Sequence, residues 1–357
     1  VRILITGGAG FIGRYFCELF TARGIAFDIL DLVKPSFDVG SARCTVGDVR
    51  DPAAVEAALK GCDKVLHLAA AHHDFGIEHD TYYDVNQNGS RTLCEKMDAA
   101  GITDCVFFSS VAVYGEAPEP HDERATPDPK HPYGGSKLAG EKVFAEWTGK
   151  GGGRRCLVIR PTITFGPRNF ANMYSLIRQI DSGKFARVGK GENVKSLSYV
   201  ENIVQATMFL WEQRWNNPSA PAMDLFNFVE KPDLTSSQIA DQIYQSLGKK
   251  PWPFAIPMWV ALLGALPFDV VIKLTGKNLP VSSMRVKKLF ETRTKFEADK
   301  LASAGWKSPV SLNGGLDRMT KWYRTEGKDQ PAVWRTPPKR IGDAPGSTSM
   351  KGKRGAA

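Results

Sequence analysis

Thr6-Gly7-Gly8-Ala9-Gly10-Phe11-Ile12-Gly13 decides the reading of this chain. The run Val1 to Thr6, rich in β-branched residues, leads into it, and an apolar helical pattern from Ile12 to Arg23 leads out. Gly7, Gly10 and Gly13 therefore fall where a dinucleotide pyrophosphate must approach the backbone. Missing Cβ atoms permit that approach, and the helix N-terminus adds unpaired N–H groups and a favourable dipole. Glycines also collect in ordinary tight turns, so the strand before and the helix after carry the inference.

Working outward, Phe27 to Leu32, Lys64 to Leu68, Cys105 to Ser109 and Arg155 to Ile159 read as further strands. Helical patterns at Asn86 to Ala100 and Tyr133 to Thr148 lie between them, and Gly24 and Gly101 occupy helix-closing positions. Such alternation predicts an α/β fold, a doubly wound parallel sheet of Rossmann type. We expect a dinucleotide-binding domain over 1–165 and a smaller, interleaved mixed lobe over 166–326 that returns in part to the sheet. Pro, Gly, Ser and Lys dominate the remainder, so 327–357 is expected to be a disordered basic tail.

The chain has 357 residues, 42% of them hydrophobic, enough for a sizeable core. Its net charge of +9 would suit a polyanionic partner, but from Lys328 onward seven Lys and Arg face two Asp. The tail thus holds +5 of the excess, and no nucleic-acid partner is expected. The six cysteines show neither a C-x-x-C pair nor zinc spacing, which predicts no metal, buried reduced thiols and a cytoplasmic setting. A strand pattern from Val1 leaves no room for a signal peptide. Phe254 to Thr275 is apolar but broken by Pro257, Pro267 and Asp269, so no transmembrane segment is expected. Two short helices packing over a substrate pocket are predicted there, with membrane-surface attachment as the alternative.

Asp31 ends the second strand, where a carboxylate can accept both hydroxyls of an adenosine ribose and repel a 2′-phosphate, which favours NAD over NADP. Asp48 is a polar stop after a short strand, either a cofactor contact or a cap for the helix starting at Pro52. Tyr133-Gly134-Gly135-Ser136-Lys137 opens a helix, and its i,i+4 spacing sets phenol and ammonium on one face. A tyrosine with pKa near 10 is a poor base at neutral pH, but a neighbouring ammonium favours the phenolate. The pair then serves as a proton shuttle. Phe108-Ser109-Ser110-Val111 places hydroxyls at the carboxyl edge of the sheet, and Ser110 can hydrogen-bond a reacting oxygen; Ser109 reads equally as a strand terminator.

Together with His67-Leu68-Ala69-Ala70 and Asn86 before Gly89, these residues resemble the extended short-chain dehydrogenase/reductase superfamily, in its NAD-dependent epimerase/dehydratase family. The resemblance spans Val1 to Tyr323. It implies NAD held by Gly7, Gly10, Phe11, Ile12, Asp31, Asp48, Val49, Leu68, Ala69, Ala70, Asn86, Tyr133 and Lys137. It also implies Tyr133 as acid/base, Lys137 on the nicotinamide ribose, Ser110 on the substrate oxygen and Asn86 as a structural brace. A homodimer through helices 86–100 and 133–148 is expected.

The departures narrow the branch. Sugar dehydratases carry Asp-Glu where Val111-Ala112 stand, and related decarboxylases place a Glu in that stretch, so elimination and decarboxylation lack their acids. Ile163 replaces a familiar substrate Asn, and Lys195 stands where an Arg commonly grips a diphosphate. Arg285 is a second diphosphate candidate or a solvated surface charge, and His72, with His73 and Asp74, is a substrate contact or a polar loop. The preferred expectation is an NAD-dependent C4 epimerase of a nucleotide-linked sugar in surface polysaccharide synthesis. A 3β-hydroxysteroid dehydrogenase or sterol C4-decarboxylating dehydrogenase is the alternative, supported by Phe165-Gly166-Pro167-Arg168 and Ile256-Pro257-Met258-Trp259. A non-catalytic NAD-binding regulatory or RNA-binding protein is the third, opposed by the intact Ser110, Tyr133 and Lys137.

Overall fold

The computed structural model describes residues 1–73, 76–215, 217, 219–275, 283, 294–343 and 345–350. The chain begins β1 (Arg2–Thr6), α1 (Phe11–Arg23), β2 (Ala26–Asp31), β3 (Cys44–Val46), α2 (Pro52–Leu59) and β4 (Lys64–His67). Next come α3 (His79–Tyr83), a π turn (Asp84–Asn88), α4 (Gly89–Ala99), β5 (Asp104–Phe108), β6 (Ala117–His121) and α5 (Pro132–Gly149). β7 (Arg155–Pro161), β8 (Ile163–Phe165), α6 (Asn172–Asp181), β9 (Val194–Lys195), β10 (Leu197–Tyr199) and α7 (Val200–Trp215) follow. The remainder holds β11 (Met223–Phe228), β12 (Leu234–Thr235), α8 (Ser236–Leu247), α9 (Met258–Thr275), β13 (Thr294–Phe296), β14 (Ala332–Thr336) and β15 (Gly346–Met350).

The central sheet has seven strands in the order β11-β7-β5-β4-β1-β2-β3, with every pairing parallel. All five residues of β5 are buried, as are the last six of β7, because helices cover both faces. One face packs Phe16 and Phe20 of α1 with Trp211 of α7; the other packs Leu93 of α4 with Phe144 and Trp147 of α5. Each such side chain contributes roughly 1.5–3 kcal/mol by leaving water. Strand order reverses between β1 and β4, and the crevice outside their carboxyl ends is where open α/β sheets bind ligands.

A third core, with Ile177, Tyr199, Leu316 and Trp322, organises the second lobe. Its small sheet runs β12-β9-β13-β6, so β6, which leaves the Ser110 loop, is tied through β13 to β9.

Three expectations are corrected. The helix predicted from Asn86 begins at His79 and contains the π turn, a feature with no signature in apolar spacing. The segment read as two short helices is the single helix α9 with Pro267 inside it, and its apolar residues face outward. The tail is not simply disordered: β14 and β15 pair antiparallel, Pro338 is buried, and the Arg50 Nη2 donates to its carbonyl at 2.7 Å. A buried guanidinium needs acceptors, and the tail backbone supplies them.

Candidate active site

The glycine loop joins β1 to α1 over the switch point. Gly7 has φ +73°, and a Cβ there would stand 2.7 Å from the Ala69 nitrogen, so only glycine lets the loop lie against the end of β4. Gly10 caps α1 without a side-chain hydrogen bond, and no acidic residue occupies the first turn. The first-turn N–H groups therefore meet no side-chain anion of their own, which fits a pyrophosphate. Phe11 and Ile12 are half-buried beside them.

Asp31, at the end of β2, accepts N–H from Ala9 at 3.0 Å and Val33 at 3.3 Å. Burial lifts its carboxyl above the usual range, and the two backbone donors oppose that shift. Asp48 is buried and pairs with Arg50 at 2.7 Å. It does not cap α2: Asp51 does, accepting from the Ala53 N–H at 2.9 Å. Val49 is buried against Gly89.

Leu68, Ala69 and Ala70 follow β4 beside the loop; the Leu68 N–H donates to the Thr6 carbonyl at 3.0 Å. Asn86 sits in the π turn, fully buried, and braces three elements. Its Oδ1 accepts from Ala71 N–H at 2.8 Å, and its Nδ2 donates to the Ala71 carbonyl at 3.0 Å and to Ser136 Oγ at 2.9 Å. The extra residue of a π turn re-aims one side chain inward, and here that side chain links the cofactor edge to α5.

Ser110 follows β5, nearly buried, and its Oγ accepts from the Ala112 N–H at 3.1 Å. The first turn of α5 packs on this loop so closely that a Cβ on Gly134 would collide with the Ala112 carbonyl. That contact seats the start of α5, which carries Tyr133 and, one turn on, Lys137, on the loop that holds Ser110. The buried Lys137 ammonium donates to the Phe108 carbonyl at 2.6 Å and lies 4.7 Å from the Phe107 ring centre. Burial draws its pKa down to about 7, with Glu141 pulling the opposite way.

The substrate candidates are dispersed. His72 is exposed at the crevice, its Nδ1 3.3 Å from the Ala70 carbonyl, with the His73 ring centre 4.1 Å away and tilted by 41°. Lys195 lies on β9 in the second lobe. Arg285 and Asp74 are outside the described residues. Sequence reasoning overlooked Glu141 and Arg160, a buried pair beneath the site, although Glu141 repeats the i+4 step from Lys137. Among the described residues, no cluster of three or more potential metal ligands occurs.

A family model described as the NAD dependent epimerase/dehydratase family matches residues 3–223. The N-acetyl-alpha-D-glucosaminyl-diphospho-ditrans,octacis-undecaprenol 4-epimerase of Escherichia coli O157:H7 is 40% identical over 328 residues, 92% of this chain and 96% of that protein. The human decarboxylating sterol-4-alpha-carboxylate 3-dehydrogenase is 26% identical over 72% of this chain and 70% of its own. The fold also matches the UDP-glucose 4-epimerase of Thermus thermophilus in complex with NAD, with a TM-score of 0.70 and 22% identity over 91% of this chain and all of that one. The family model spans more than half of the chain and the E. coli relative covers nearly all of it: the chain belongs to the NAD-dependent epimerase/dehydratase family.

Proposed function

We propose that this enzyme inverts C4 of a sugar carried on a diphosphate. The observation that carries the reading is the packing of α5, the helix that holds Tyr133 and Lys137, against a Ser110 loop whose next residues, Val111 and Ala112, are uncharged. NAD supplies reversible two-electron acceptance. Tyr133 takes the proton of the C4 hydroxyl as a ketone forms and returns it after the ring turns over. The Lys137 ammonium favours the phenolate and binds the nicotinamide ribose, and Ser110 hydrogen-bonds the reacting oxygen. Asp31 and Asp48 hold the adenosine end, while Lys195 offers its charge to the diphosphate, with His72 as a further contact.

The two residues after Ser110 offer no acid and base for eliminating water, which separates this site from dehydratase chemistry. The 40% identity to a 4-epimerase against 26% to a sterol dehydrogenase supports the same choice. Six free thiols accord with a reducing cytoplasm. The test is incubation with diphosphate-linked hexoses and N-acetylhexosamines. A product of unchanged mass with no accumulated NADH is expected; a product lighter by water or carbon dioxide, or stoichiometric NADH from a sterol, would sink the reading.

A further inference from the structure

Trp259, Leu263, Leu266 and Val270 recur on α9 at steps of four, three and four, which aligns them in one stripe. They are 66, 55, 49 and 56% exposed, while Ala265 on the same helix is fully buried. The helix is thus seated on the protein by one side and turns an apolar ridge to solvent. Trp252 and Phe254, in the segment that leads into α9, expose two more aromatic rings. Leaving six large apolar side chains in water has no benefit to a monomer in solution, and contiguous apolar surface of this kind marks an interaction face.

Charge names the partner. Lys250 and Lys190 are exposed beside the lead-in: Lys250 directly precedes it in the chain, and Lys190 follows Gly189, whose N–H donates to the Ile256 carbonyl at 2.9 Å. Asp269, the one acidic residue of α9, is occupied in accepting the Ser283 N–H at 3.0 Å. An apolar stripe tipped with tryptophan and flanked by lysines matches an anionic bilayer surface, in which the helix lies in the interface. No helix among the described residues is long and apolar enough to cross a membrane, so α9 would rest on it.

The ridge is also coupled to the site. Val188 bridges Ile256, and the chain continues from Val188 into β9, which pairs with β13 and through it with β6 from the Ser110 loop. We propose that α9 and its lead-in are a bilayer-docking face through which the enzyme takes a polyprenyl-diphosphate-linked sugar from an anionic membrane. This rests on the epimerase reading for the sugar chemistry; the E. coli relative, named for an undecaprenol-linked substrate, matches over nearly its whole length.

The experiment has two independent readouts on the full chain. Co-sedimentation compares vesicles of phosphatidylglycerol mixed with phosphatidylcholine against phosphatidylcholine alone, for the natural protein and for the triple substitution Trp259→Ser, Leu263→Ser and Leu266→Ser. The natural protein should pellet with the anionic vesicles, and the triple variant, with unchanged NAD binding, should lose at least about tenfold in partitioning. Brominated phosphatidylcholine in the vesicles should quench tryptophan emission of the natural protein, a result that needs no variant. Equal partitioning by the variant, absence of quenching, or a dimer that the variant dissociates without any vesicle binding overturns the docking face. Product mass from detergent-dispersed polyprenyl-diphosphate N-acetylhexosamine reads the chemistry separately. Vesicle binding without conversion leaves the docking face standing and removes the epimerase reading, whereas conversion without vesicle binding does the reverse.

Discussion

Arg160 closes on Glu141 at two points, Nε to Oε1 at 2.8 Å and Nη2 to Oε2 at 2.5 Å, one helical turn beyond Lys137. Both side chains are about 5% exposed. Ser109 donates to the same carboxylate, and Arg160 Nη1 donates to the Tyr114 hydroxyl at 2.6 Å, which in turn donates to Asn227 Oδ1 at 2.9 Å. The network fastens α5, which carries Tyr133 and Lys137, to the end of β5 before Ser110 and to β7 and β11. Glu141→Ala strands a buried guanidinium and should cost roughly 3–5 kcal/mol in urea unfolding. Adding Arg160→Met to Glu141→Leu should cost less than the two single changes together; strict additivity would show that the pair is not coupled.

His67 gives the fold an acid limit. Its Nδ1 lies 2.7 Å from Thr6 Oγ1 and its Nε2 3.2 Å from Ser90 Oγ, and Ser90 spends its own proton on the Asn86 carbonyl at 2.7 Å. Ser90 must therefore accept from Nε2–H and Thr6 must donate to Nδ1, which fixes the neutral ring. Burial, with Lys137 nearby, lowers the folded pKa to about 3. Below the unfolded value of about 6.5 the unfolded chain takes up a proton that the folded chain refuses. Stability should fall by about 1.4 kcal/mol per pH unit from this group as pH drops from about 6.5 towards 3. Urea midpoints of His67→Asn should show a shallower decline over that window; an identical slope would clear His67 of the effect.

Asp31 meets both Ala9 and Val33 through its carboxylate, so it is held rigidly at the end of β2. A fixed charge there should repel the 2′-phosphate of NADP. Calorimetric titration should find NAD bound more tightly than NADP, with Asp31→Ala narrowing the difference. Equal affinities in the unaltered protein would refute the assignment.

The parallel strands were readable because burial on both faces writes them as continuous apolar runs, and the cofactor loop because a close backbone approach demands glycine. What escaped the reading depends on contacts between distant segments. The π turn that aims Asn86 leaves apolar spacing almost intact. Pairing of Glu141 with Arg160 joins a helix to a strand nineteen residues away. The outward turn of α9 is invisible to composition, because an apolar helix looks the same whether it covers a pocket or faces solvent. Likewise Pro338 and Lys339 meet Arg50 across 288 and 289 residues, a separation that no local pattern encodes.

The outer face of α4 carries exposed Arg91 and Glu95, and that of α5 carries exposed Lys142 and Glu146. Both signs on adjoining helices suit a self-complementary two-fold interface of four helices. Light scattering at micromolar concentration should give twice the chain mass of 39.2 kDa. Arg91→Glu with Lys142→Glu should shift the mass towards the monomer by placing like charges together. A monomer mass for the unaltered protein would refute the arrangement.

Chemistry separates Tyr133 from Lys137. In the proposed mechanism the phenol of Tyr133 only moves a proton, so Tyr133→Phe should lower kcat by ~10²- to 10⁴-fold and leave NAD affinity nearly unchanged. The proposed mechanism gives Lys137 two tasks, holding the cofactor ribose and favouring the phenolate, so Lys137→Met should weaken NAD binding as well as rate. Its buried ammonium titrates near 7 before cofactor binds, because desolvation disfavours the charge. If NAD's ribose hydroxyls stabilise the ammonium, binding should take up a proton above about pH 7, and calorimetric heats should then vary with the ionisation enthalpy of the buffer. Lys137→Met should abolish that variation. Proton uptake that persists in the variant would place the titrating group elsewhere, and a Tyr133→Phe enzyme with full kcat would remove the phenol from the proton path.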